Sequence, residues 1–449
     1  MTYNHQRPAA HSKSGVPPGS SARVGIIAWA FYDWANSAFP TVVLTFVFAS
    51  YFTRHVAPNE ALGSALWGNT VAAAEISVAV VGPMLGAIAD QTGRNKLWIA
   101  AFTLLCAASA GLLWFVNPSP QSVWLALVLV GIGVFASDCA LIFYNAMLPR
   151  LAVPEEVGRW SGWSWGMGYA GGLLCLVISL FVFVEPVHPW IELDQESAEH
   201  IRATFVFVSG WYLLFSLPLF FLTPGAHSEE KTISQALRAG LAQLRDTFRK
   251  IRRYMSILRF LIARMFYIDG VGTLFVFGGV YAAGTFAMGE RQILLFGIAI
   301  NAAAGVGAAL FGWIDDWIGA RRTILVALLG LILPGSAILL VQSPTLFWLF
   351  ALLLGVFVGP VQAASRSYLS RIAPPELQNE LFGFYALSGK ATAFLGPLLV
   401  GWLTYGSGSQ RFGMSVIVLF LLIGFILMLR VTEQTTEKAR SNEADSAEN

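Results

Sequence analysis

The chain has 449 residues, of which 56% are hydrophobic and 12% charged, with a formal net charge of +2 and a mean hydropathy of +0.64. So much apolar surface excludes an ordinary soluble globular protein. A small net charge spread over many short segments gives a nucleic acid no footing.

Residues 1–24 form a polar tail rich in Ser, Pro, His and Gly. The apolar run that follows, 25–53, is too long for a signal-peptide core and lacks a convincing cleavage site, so it reads as a retained membrane helix. A bilayer is crossed by about 20 apolar residues. Runs of that length follow at 67–89, 97–116, 121–148, 160–184 and 201–223, completing a six-helix bundle over 25–223. Residues 224–256 form a polar linker with seven basic and three acidic residues. Within it Leu237, Leu241, Leu244, Phe248 and Ile251 recur at helical spacing. This predicts an amphipathic helix over 232–254 that either lies on the membrane surface, drawn by anionic lipid, or packs across the ends of the two bundles. Six further runs, at 257–288, 292–314, 323–341, 345–370, 382–404 and 411–430, make a second bundle over 257–430, and an acidic tail occupies 431–449. The runs are continuous and about twice as long as a barrel strand, which sets aside a transmembrane β-barrel. The fold class is an all-α polytopic membrane protein of twelve transmembrane helices, and we expect it to work as a monomer.

With both termini cytoplasmic, 20 of the 28 Lys and Arg residues fall on the cytoplasmic side and only Arg54, Arg202, Arg291 and Arg411 on the other. That bias predicts an N-in, C-in topology; a bacterial inner membrane is the expected location. Cys106, Cys139 and Cys175 all fall inside spans, without disulfide or metal-ligand spacing, so no metal and no cofactor is expected.

The two bundles repeat. Gly86, Asp90, Gly93, Arg94 and Lys96 in the loop after span 2 are matched after span 8 by Gly312, Asp316, Gly319, Arg321 and Arg322. Further on, Arg150 pairs with Arg371, Gly162 with Gly383, Asn145 with Arg366 and Tyr169 with Lys390, while Glu75 and Asn301 each stand 15 residues before their loop aspartate. In this loop pattern a glycine admits a close helix crossing, and the aspartate can cap the start of a neighbouring helix. Gly93 allows a tight turn. The basic residues are expected to pair with nearby loop acids: Arg94 and Lys96 with Glu155 and Glu156, Arg321 and Arg322 with Glu376 and Glu380. Such a cluster would hold the cytoplasmic side shut.

Two register-matched copies of this pattern resemble the inter-helix loop signature of the major facilitator superfamily, with Gln91 where an arginine is usual. A narrower resemblance runs along almost the whole chain. Ala28 to Phe39 (AWAFYDWANSAF), Tyr144-Asn145 through Pro149, Gly168-Tyr169, Tyr267 to Gly270, Gln362 to Ser367, and Gly389-Lys390-Ala391 with Gly396-Pro397 are similar to the vacuole-effluxer-like family of unknown major facilitators. The resemblance implies two pseudo-symmetric six-helix bundles and a secondary transporter. It also implies, from fungal members, amino-acid export.

Ionisable groups at bilayer depth are functional candidates by default, since an unpaired one costs about 2.5–3.5 kcal/mol on insertion scales. Here they are Asp33, Glu75, Asp138, Asp269, Arg366 and Lys390, with Arg264 nearer the end of span 7. Asp33, Asn36, Ser37 and Pro40 share one helical face, and Asp269, Gly272 and Thr273 share another. We therefore expect Asp33 and Asp269 to face each other across a central path, beside Tyr32, Tyr267 and Gln362, with Pro40 bending the first helix. A carboxylate there could carry a proton, and Arg366 or Lys390 could bind a substrate carboxylate. The competing role for each is polar glue between helices.

An intramembrane aspartyl protease would need G-x-G-D, and residues 267–270 read Tyr-Ile-Asp-Gly. No phosphate loop or supported Ser/His/Asp set appears, so the chain does not read as an enzyme. The expectation is a transporter of a small polar metabolite, amino acids first, working by alternating access and coupled to protons. A transporter-like sensor or lipid-handling protein is the alternative.

Overall fold

The structure, a computed structural model, describes residues 20–184, 193–225, 233–249 and 254–432. Twelve helices among them are long and apolar enough to cross a membrane. We label them α1 (Arg23–Val56), α2 (Leu62–Thr92), α3 (Asn95–Phe115), α4 (Pro120–Leu151), α5 (Pro154–Val184) and α6 (Glu199–Leu222) in the first bundle. In the second they are α7 (Met255–Phe286), α8 (Leu295–Ile318), α9 (Ala320–Leu340), α10 (Pro344–Ile372), α11 (Pro375–Ser407) and α12 (Gln410–Leu429). The linker helix is Ile233–Arg249. The tail residues 1–19 and 433–449 lie outside the described residues, as does Ile251 of the amphipathic pattern.

Local chemistry sets several boundaries. Asn59 accepts the Leu62 amide at 2.9 Å and caps the start of α2. Gly93, at φ 65°, ends α2, and Gly319, at φ 90°, separates α8 from α9, so both motif glycines occupy backbone space that a side chain disfavours. Pro40 does not stop α1. Beyond it the helix widens to a π-type turn over Phe39–Phe46, where the Val47 amide reaches back five residues to the Val42 carbonyl at 2.8 Å. Between Lys390 and Leu395, α11 loosens into a turn.

The bundles meet chiefly where α2 crosses α11 and α5 crosses α8. Both crossings are glycine-lined. A Cβ on Gly86 would come within 2.9 Å of the Glu380 Cα, and one on Gly312 within 3.0 Å of the Arg159 Cα. Gly383 and Gly162, the repeat-related pair, press on Pro83 and on Gly312 in turn. Backbone therefore meets backbone at the end of the molecule that carries the motif loops, hereafter the motif face. The linker helix seats there too: Gly240 lies against the backbone of Ala87 and Ile88, and Gln243 bonds Gln91 of the first bundle at 2.5 Å and Glu380 of the second at 2.7 Å. Of the two placements open for this helix, packing across the bundle ends is the one observed, with Arg238, Arg245 and Arg249 exposed.

Candidate translocation site

At the motif face the loop aspartates cap helices, as their spacing predicts, and each capped helix belongs to the opposite bundle. Asp90 accepts the backbone amides of Asn379 (3.1 Å) and Glu380 (2.9 Å) and the Asn379 side-chain amide (2.8 Å), at the start of α11. Asp316 accepts the amides of Gly158 (2.8 Å) and Arg159 (3.0 Å), at the start of α5. Unpaired amides at a helix start favour a carboxylate in both positions.

The basic residues behave differently from the expectation. Lys96 donates to the carbonyls of Phe220 and Thr223, and Arg321 to the Leu429 carbonyl at 2.9 Å, so they close the ends of α6 and α12 in their own bundles. Arg94 and Arg322 are exposed and form no ion pair among the described residues. Glu156 instead pairs with Arg159 at 3.3 Å, and Glu380 takes Gln243. Residues with free carbonyls overhead were closer than any loop acid. The side chains that reinforce the caps are Arg371, on Asp315 at 2.7 Å and Asp316 at 2.9 Å, and Arg150, whose Nε donates to Gln378 at 3.1 Å.

At mid-depth lies a cavity of about 340 Å³, lined among others by Glu75, Asp138, Asn145, Trp165, Arg264, Asp269, Gln362, Arg366, Tyr385 and Lys390. Lys390 of α11 reaches Glu75 of α2 at 2.7 Å and Asp138 of α4 at 3.1 Å. Arg366 of α10 pairs with Asp33 of α1 at 3.1 Å and also donates to the Ser161 hydroxyl (2.9 Å) and carbonyl (2.7 Å) and to Asn145 (3.2 Å). Its guanidinium carbon sits 5.1 Å from the Trp29 ring and 5.8 Å from those of Tyr144 and Trp165. Trp29 is held by stacking on Tyr144 at 4.5 Å and by donating to the Tyr144 carbonyl at 2.9 Å. Gln362 donates to the Tyr169 hydroxyl at 3.1 Å, again across the bundles.

Not every predicted residue reaches this cavity. Asp33 and Asp269 do not oppose each other: Asp33 is 8% exposed, bonded by Ser164 and Arg366, and sits behind the latter, whereas Asp269 accepts the Gly396 amide at 3.2 Å and the Thr273 hydroxyl at 3.3 Å. Tyr32 and Asn36 turn into the first bundle, where Tyr32 meets Thr103 (2.7 Å) and Tyr212 (2.8 Å), and Asn36 donates to Tyr212 (2.7 Å) and Ser137 (3.2 Å). Tyr267 makes the corresponding inward bond to Ser365 at 2.7 Å in the second bundle. The hydrogen bonds of these three join helices within one bundle. Arg264, placed by the sequence nearer the end of its span, lines the cavity too; Trp165 and Tyr385 are additions, and Ser161 and Ser164 stand behind it. A serine or tryptophan inside an apolar run carries no spacing signal that would have singled it out.

Two pseudo-repeated six-helix bundles, a motif on one face and a charged cavity between them define a transporter of the major facilitator superfamily. Solved structures share the fold: the proton:xylose symporter XylE, at TM-score 0.70 and 16% identity, covering 94% of this chain and 98% of that one, and FucP in an outward conformation, at TM-score 0.71 and 12% identity, covering 92% and 100%. Residues 70–441 match the family model described as "Vacuole effluxer Atg22 like", and the chain belongs to that family. It is 27% identical over 422 residues to the uncharacterized MFS-type transporter YxiO of Bacillus subtilis, covering 93% of this chain and 97% of that protein. It is 24% identical over 261 residues to Autophagy-related protein 22 of Cryptococcus neoformans, covering 53% of this chain and 45% of the relative. The match therefore spans about half of that fungal relative. The chain is an integral, multi-pass membrane protein.

Proposed function

We propose that this transporter moves a small polar metabolite, amino acids first, by alternating access coupled to protons, with both termini and the motif face cytoplasmic. The observation that carries the reading is the pairing of carboxylates from one bundle with cations from the other at the cavity. Rocking the bundles apart at the motif face must separate Arg366 from Asp33 and Lys390 from Glu75 and Asp138. Leaving a buried charge unpaired costs several kcal/mol, so the transition needs a proton on a carboxylate or a substrate that bridges the charges. The cavity lining carries both signs, which suits a solute bearing both. The fungal family role implied by the resemblance, amino-acid export, points the same way. The exposed arginines of the linker helix suit anionic lipid at the cytoplasmic leaflet.

The test is a metabolite-flux screen in proteoliposomes, with and without a pH gradient. Asp33→Asn should abolish pH-driven flux per folded molecule while leaving solute exchange. Unchanged pH-driven flux removes Asp33 from coupling, and a wild-type protein that moves no solute supports the sensor reading instead.

A further inference from the structure

Three cations line the cavity, and two are already occupied by carboxylates of the protein: Arg366 by Asp33, and Lys390 by Glu75 and Asp138. Arg264 is different. It is 8% exposed, and among the described residues no carboxylate pairs with it. Its Nη1 donates to the Tyr385 carbonyl at 2.7 Å and the Ser388 hydroxyl at 2.8 Å, and its Nε is buried without a hydrogen-bond partner. The guanidinium carbon lies 3.5 Å from the centre of the Tyr385 ring, which fixes the plane of the group. Neutral acceptors and a ring face orient this cation without cancelling its charge. A buried guanidinium is always charged, and evolution of a membrane protein rarely leaves one beside a cavity without use.

We infer that Arg264 is the anchor for the anionic group of the substrate, a carboxylate, and that Arg366 and Lys390 serve the protein's own conformational pairs. Asp269 stands five residues along the same helix, lines the same cavity, and has one buried carboxylate oxygen without a hydrogen-bond partner. The one helix thus offers the solute an unmatched cation and an unmatched anion. The assignment rests on the amino-acid reading above.

The experiment measures binding to the detergent-purified full chain of a panel of L-amino acids, each beside its own carboxamide. Amino acids that bind should lose at least ten-fold in affinity as carboxamides. Arg264→Lys, which keeps the charge and loses the planar fork, should weaken acid binding by a similar factor and leave carboxamide binding unchanged, so that the preference for the acid disappears. Arg411→Lys, remote from the cavity, should keep the preference. A purely structural Arg264 would lower the thermal stability of the variant with the acid-to-carboxamide ratio intact, and that result overturns the inference. So does a wild-type protein that binds carboxamides as tightly as acids, a measurement that needs no variant to fold; in that case the amino-acid reading survives. A panel in which no amino acid binds overturns both.

Discussion

The two bundles share a backbone plan and divide the charges unequally. The first supplies Asp33, Glu75 and Asp138 to the centre, and the second supplies Arg264, Arg366 and Lys390, with Asp269 its acid among the described cavity-lining residues. Three of these charges replace an uncharged repeat partner: Arg366 stands where the first copy has Asn145, Lys390 where it has Tyr169, and Glu75 where the second has Asn301. Arg366 even bonds its own repeat partner, at 3.2 Å. The helix caps, by contrast, are kept in both copies. Features that need only backbone amides survive duplication symmetrically, while the cavity has been polarised so that the closed motif face is held by attraction between the bundles.

That division can be broken at four places. The largest effect is expected from Asp33→Asn, which strands Arg366 inside the protein; about 3 kcal/mol of stability should be lost in detergent unfolding. Adding Arg366→Gln should recover part of it, and strictly additive losses would show that the pair is not coupled. Next, Asp316→Asn should raise labelling of a cysteine placed behind the motif face by about ten-fold, roughly 1.4 kcal/mol. Asp90→Asn should do less, because Arg150 and the linker's Gln243 still join the same helix start. The reverse order would contradict the asymmetry of the two caps. Glu75→Gln should cost about 1 kcal/mol, since Asp138 still neutralises Lys390, and the loss should grow when Asp138→Asn is added. The smallest change, about 0.5 kcal/mol, is expected for Gln243→Ala, read as increased labelling beside Asp90 with none beside Asp316.

The sequence shows which features follow from spacing alone. Twelve spans, the duplication, the turn glycines and the capping aspartates are all legible, because each depends on run length or on a fixed offset from a helix end. Side-chain destinations are not. Tyr32, Asn36 and Asp33 are close on one helix, but only contacts with α3, α4 and α6 decide that the first two bond inward. Lys96 and Arg321 have long, flexible stems, and carbonyls at the ends of α6 and α12 are within their reach. Arg264 looked peripheral because its place near a span end hides the fact that α11 encloses it.

The glycine crossings carry a practical consequence. At Gly86, where α2 meets α11, and at Gly312, where α8 meets α5, backbone lies directly against backbone, with nothing between the helices to absorb a change in spacing. A bulky residue at Gly86 or Gly312 would act as a wedge, prising the helices apart at the motif face while leaving the charged centre chemically intact. Such wedged variants offer a route to capturing the opposite conformation for structure determination, without a ligand and without altering a single titratable group.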